Sequence, residues 1–157
     1  MKRVYAVLAF VICGLVAVQA AAAVWAESGL FLWITQGGGV IDQSTLESDS
    51  APPFPEAAGF AIHGMNGMMV IPVVALLLLV VSFLAKVPRG IPWAVGVAVL
   101  VALQVTLGIL GHSVSIAGFS HGINALLLFT VSLLAGLRAW RASAVEPAAA
   151  ANSALVG

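Results

Sequence analysis

Four apolar stretches dominate the chain: Val4 to Ala26, Phe60 to Ala85, Ile91 to Gly111 and Phe119 to Trp140, of 23, 26, 21 and 22 residues. At about 1.5 Å of rise per residue, each is long enough to cross a hydrocarbon core of about 30 Å as a helix. No charged side chain lies in the interior of any of them; Arg138 falls in the last turn of the fourth. Backbone groups in lipid must find partners within the chain, so four such stretches predict an all-α integral membrane four-helix bundle. Composition agrees, with 62% of the 157 residues hydrophobic and 8% charged, too few charges to cover the surface of a water-soluble domain. Six cations balance six anions with no basic run, which argues against nucleic acid as a partner. The single cysteine, Cys13, lies inside the first stretch and forms no intrachain disulfide.

The charges also orient the spans. Lys2, Arg3, Lys86, Arg89, Arg138 and Arg141 all fall on one side of the membrane, before span one, between spans two and three, or at the end of span four. The positive-inside rule therefore predicts an N-in/C-in topology, with both termini cytoplasmic in a bacterial inner membrane. Glu27, Asp42, Glu47, Asp49 and Glu56 belong to the outer loop, residues 27–59. A cleaved secretory signal is the rival reading of the first stretch, since Met1-Lys-Arg precedes it and Ala-Val-Trp-Ala closes it. Its length and a match with span three favour a retained helix. The expected organisation is a transmembrane domain over residues 1–141 and a disordered cytoplasmic tail over 142–157.

The match is part of a duplication. Leu15-Val-Ala-Val-Gln19 in span one parallels Leu100-Val-Ala-Leu-Gln104 in span three, and His63-Gly-Met-Asn-Gly67 in span two parallels His121-Gly-Ile-Asn-Ala125 in span four. Two pseudo-repeated helical hairpins around an axis along the membrane normal follow from this pairing. The long outer loop opens with Leu30-Phe-Leu-Trp-Ile34, expected to lie at the interface or cap the bundle. Gly37 to Gly39 and Pro52 to Pro55 predict little regular structure there. Pro72, in the middle of span two, predicts a kink.

With carboxylates absent from the span interiors, histidine and amide are the polar chemistry left. His63 and His121 lie at similar depth near the outer ends of spans two and four, where two imidazoles on facing helices can clamp one object. A haem suits that arrangement: its iron takes two axial nitrogen ligands on opposite faces of a flat macrocycle bound between helices. Gly67 and Ala125, four positions later on the same faces, would leave room for a porphyrin. Asn66 and Asn124 lie close to those faces. Gln19 and Gln104 are candidates to accept the other ring N–H of each ligand. The alternative is structural, with histidine and asparagine cross-linking helices through hydrogen bonds and glycine permitting close packing. His112 aligns with no second histidine and is expected to be a surface anchor, with a propionate contact or alternative ligand as the minor reading. Zinc is disfavoured, because three histidines without cysteine or a well-placed carboxylate make an incomplete shell.

On these residues the chain resembles the four-helix membrane haem proteins whose second and fourth helices each supply one axial histidine, as in one half of haem A synthase. The likeness runs by topology from Val4 to Arg141. The chain is also similar to small four-span bacterial membrane proteins that carry a histidine early in span two and His-x-x-Asn-Ala early in span four. The resemblance implies an axial role for His63 and His121 and no other residue. It does not imply synthase activity, because Glu-x-x-His-Arg is absent around His63 and there is no second histidine pair. The expected function is that of a b-type cytochrome-like protein holding one haem b per chain for electron transfer or haem handling. Its partners would be the lipid bilayer and a redox partner or respiratory complex, with homo-oligomers compatible. The runner-up is a non-catalytic membrane scaffold or accessory subunit.

Overall fold

A computed structural model describes residues 1–42 and 54–156, with side chains through residue 144. The described residues contain no strand; they form α1 (Lys2–Thr35), α2 (Pro55–Leu84), α3 (Gly90–Gly111) and α4 (Ser115–Val156). All four are long and apolar enough to cross a membrane, so the chain is a multi-pass membrane protein. α1 packs on α2 and α4, and α3 packs on the same two helices. The helices thus follow one another around the bundle, and α2 and α4 face each other across a diagonal.

The side chains sort as lipid requires. Ala6, Ala9, Ala75, Ala94, Ala135 and Ala139 are buried between helices, while Val73, Leu76, Val80, Phe83 and Leu126 point outward. Apolar burial drives little association in hydrocarbon, so small interior residues gain by letting backbones approach and pack. Larger side chains fill the gaps: Tyr5, Ile12, Leu78, Val97 and Leu128 are almost wholly buried. The phenol of Tyr5 donates a 2.9 Å hydrogen bond to the Gly90 carbonyl, tying the start of α1 to the start of α3. The phenyl ring of Phe10 packs on Gly136 of α4 and against Trp140, 6.5 Å between ring centroids.

Three expectations change in detail. The Leu30 to Ile34 stretch does not leave the helix; it extends α1 to Thr35, since nothing between Ala26 and Thr35 breaks a helix strongly. Gly29 in this extension allows the Glu56 side chain to lie directly against the backbone, and Trp33 stacks on Phe54 at 5.7 Å. The helix stops at the three glycines, where Gly38 adopts φ +69°. Residues 43–53 of the outer loop, with Glu47, Asp49 and Pro52, lie outside the described residues. The tail expected to be disordered from residue 142 continues α4 to Val156, in keeping with the high helix propensity of its alanines. Pro72 acts through a π-helical turn at Asn66–Val70 immediately before it, in which Ile71 N–H reaches back to the Asn66 carbonyl. The wide turn absorbs the proline ring and its missing donor.

Candidate functional site

Each hairpin carries the same hydrogen-bonded cluster, built from the repeated segments. In the first, Nδ1 of His63 lies 3.1 Å from the Gln19 carbonyl. The amide Nδ2 of Asn66, one turn on, donates to the Leu15 carbonyl at 3.1 Å and to Gln19 Oε1 at 3.2 Å. In the second, Nδ1 of His121 lies 3.0 Å from the Gln104 carbonyl. Nδ2 of Asn124 donates to the Leu100 carbonyl at 2.9 Å and to Gln104 Oε1 at 2.6 Å. Gln104 Nε2 adds a bond to the His121 carbonyl at 3.1 Å. The two repeats are therefore two halves of one device: Leu and Gln of one helix receive Asn and His of the next.

This pattern fixes the chemistry of both imidazoles. A carbonyl oxygen can only accept, so each Nδ1 carries a proton, and in the neutral ring each Nε2 keeps its lone pair. That is the tautomer a metal-ligating histidine needs, oriented by a fixed acceptor. The two rings lie 6.1 Å apart between centroids, with their planes inclined at 48°. A metal–nitrogen bond is about 2 Å, and the ring centre lies about 1 Å behind the nitrogen, so two imidazoles sharing one ion need about 6 Å. Among the described residues no group of three or more His, Cys, Asp or Glu is gathered as a metal site. Two ligands alone suit a metal whose remaining positions a macrocycle fills.

Packing leaves the pair between two separately zipped hairpins. Ala58–Val70, the outer half of α2, packs on α1, and only from Ile71 onward does α2 also pack on α3. Gly59 lies against the Ala22 carbonyl and Ala26 in the first hairpin, and Gly111 approaches Gly118 in the second. Both zips close the outer end of a hairpin by letting two backbones meet. His63 and His121 are half-buried at this level, whereas Asn66 and Asn124 are buried. Each asparagine Oδ1 is buried without a partner among the described residues, in both halves alike, and can accept a hydrogen bond, for example from water.

The remaining candidates divide. Gly67 faces the side chain of Gln19; a Cβ there would sit 2.5 Å from Gln19 Nε2, so this glycine makes room for the glutamine rather than for a macrocycle. Ala125 packs at the edge of the hydrophobic core. His112 is exposed and caps the C-terminus of α3, in keeping with a surface role. Sequence reasoning missed Gly108, whose absent Cβ would lie 3.1 Å from Cε1 and 3.2 Å from Nδ1 of His121. It also missed the Leu15 and Leu100 carbonyls, although the spacing of Leu and Gln four apart in both repeats carried that signal. Replacing Asn124 with leucine removes two hydrogen bonds at constant size, each worth about 0.6 to 2 kcal/mol in a membrane bundle. Unfolding titrations in mixed detergent micelles are expected to show a loss of that order, with Asn66→Leu giving a similar value.

One family model, described as a family of unknown function (DUF6220), matches residues 53–110. That segment covers α2 and nearly all of α3 and contains His63, Asn66 and Gln104, but not His121. No curated protein and no solved structure matches the chain.

Proposed function

We propose that the protein is a b-type cytochrome-like membrane protein holding one haem between α2 and α4, with His63 and His121 as axial ligands. The observation that carries this reading is the pair of imidazoles 6.1 Å apart, each with Nδ1 committed to a glutamine carbonyl. The only cysteine, Cys13, lies buried in α1, so covalent attachment through a Cys-x-x-Cys-His segment is not available and a non-covalent haem b is the form that fits. Held by His63 and His121, a haem would supply one-electron transfer rather than oxygen chemistry. The chain's own residues do the rest: Gln19 and Gln104 orient the ligands, Asn66 and Asn124 fix the glutamines, and the apolar bundle shields the site from water. The single-sided distribution of Lys and Arg supports cytoplasmic termini, which puts the site in the outer half of the bilayer. A redox partner or respiratory complex would exchange electrons with it.

One observation favours a second reading. The same hydrogen bonds lock α1 to α2 and α3 to α4, as a scaffold or accessory subunit would require. The two readings separate in the visible spectrum of protein purified in detergent from haem-replete cells. The haem reading expects sharp α and Soret bands on dithionite reduction, at a stoichiometry of one b-type haem per chain. Colourless, folded protein would leave the scaffold.

A further inference from the structure

Away from the histidines, the cationic end of the bundle carries a second feature. Arg89, Arg138 and Arg141 line one cavity of about 350 Å³ together with Pro88 and Ala142. Two helices converge there: Arg89 caps the start of α3, and Arg138 and Arg141, three apart, share a face of α4. Glu27, Asp42 and Glu56 are at the opposite end of the bundle, and Glu146, whose side chain is not described, follows Arg141 by five residues on α4. Like charges gathered on one cavity repel one another, and an anion seated among them reverses the sign of that interaction.

Arg89, Arg138 and Arg141 are all exposed, and a ring contact partly orders one of them. Arg138 lies over the Trp93 ring, 5.1 Å from its centroid, so part of its ordering is already met by a cation–π contact. Arg89 adopts φ +57°, a left-handed conformation that glycine or asparagine would take at less cost. The level of the cavity is that of the headgroups, because both α3 and α4 carry no further charge across their spans beyond it, with Trp93 at the boundary.

We propose that this cavity binds the phosphodiester of an anionic phospholipid from the leaflet that faces the cationic end of the bundle. The chemistry is that of a phosphate oxyanion shared by three guanidinium groups, with the acyl chains running down the outward apolar faces of α3 and α4.

The test uses the full chain, delipidated in detergent and reloaded with phosphatidylglycerol, with phosphatidylcholine or with inorganic phosphate, and read by native mass spectrometry. Phosphatidylglycerol is expected to be retained about tenfold better than phosphatidylcholine. The triple variant R89Q/R138Q/R141Q is expected to lose that preference. The variant R3Q/K86Q, which removes charge from the neighbouring cavity on this face and leaves the Lys2 hydrogen bond to the Ala142 carbonyl in place, is expected to keep it. Circular dichroism on both variants checks that they remain folded, and R141Q alone, at an exposed position, gives a milder step in the same direction. Equal retention of the two lipids would overturn the site. So would an equal loss of preference in R89Q/R138Q/R141Q and R3Q/K86Q, which would mean diffuse charge, or displacement of phosphatidylglycerol by millimolar inorganic phosphate, which would mean a free-phosphate site.

Discussion

Replacing either His63 or His121 with alanine is expected to strip haem from the purified protein, lowering the haem retained per chain by at least about tenfold. The scale follows from what lesser changes do: removing only the hydrogen-bond partner of a metal ligand costs about 10 to 100-fold in affinity, and removing the ligand itself costs no less. The two variants should behave alike, because both imidazoles are held by the same kind of acceptor at nearly the same distance, 3.1 Å and 3.0 Å. Alanine also leaves a cavity of imidazole size on one side, so added imidazole should restore part of the low-spin spectrum in each. His112→Ala supplies the comparison. That residue is exposed at the end of α3, and its removal should leave haem content unchanged. A spectrum lost in all three variants would point to general instability, and one kept in all three would detach the histidines from the pigment.

The second large effect is expected at Gly108, which touches no cofactor. A methyl group at this position would come within 3.1 to 3.2 Å of the His121 ring, tighter than an ordinary van der Waals contact, and the ring must yield. Gly108→Ala should therefore weaken haem binding modestly. Gly108→Leu should abolish it, because the larger side chain drives the ring off the Gln104 carbonyl, and the ligand loses the acceptor that sets its tautomer. Gly14→Ala is the matched control. A Cβ there meets nothing within 4 Å, so the substitution should bind haem normally and, by helix propensity alone, stabilise α1 by up to about 1 kcal/mol. Haem titration of the apoprotein, followed at the Soret band, distinguishes these cases.

Much of this arrangement was legible in the sequence, for a specific reason. In lipid the helix must satisfy its own backbone, so uncharged length alone locates the spans, and α3 begins and ends within a residue of the stretch read from composition. The pairing of spans was readable because the repeats preserve the polar residues that join each hairpin: Gln19 with His63 and Asn66, Gln104 with His121 and Asn124. Helix ends were harder. The outer part of α1 and the alanine-rich end of α4 lie beyond the apolar windows, where propensity rather than hydropathy decides, and both continue the helix. The role of Gly67 was misread because a glycine four residues after a histidine shares its face only approximately. The width of the turn that begins at Asn66 and the approach of Gln19 Nε2 to Gly67 are set by packing between helices, which the histidine–glycine spacing does not report. Gly108 escaped notice for the same reason, since it lies on a helix with no ligand of its own.

The proposed iron is shared by two imidazoles, and nitrogen hyperfine spectroscopy of the ferric protein carrying ¹⁵N-histidine addresses that directly. It should resolve two strongly coupled histidine nitrogens of nearly equal strength, both absent when the label is omitted and one lost in the imidazole-free form of either alanine variant. A ferric centre coupled to only one histidine nitrogen, or to none, would contradict it.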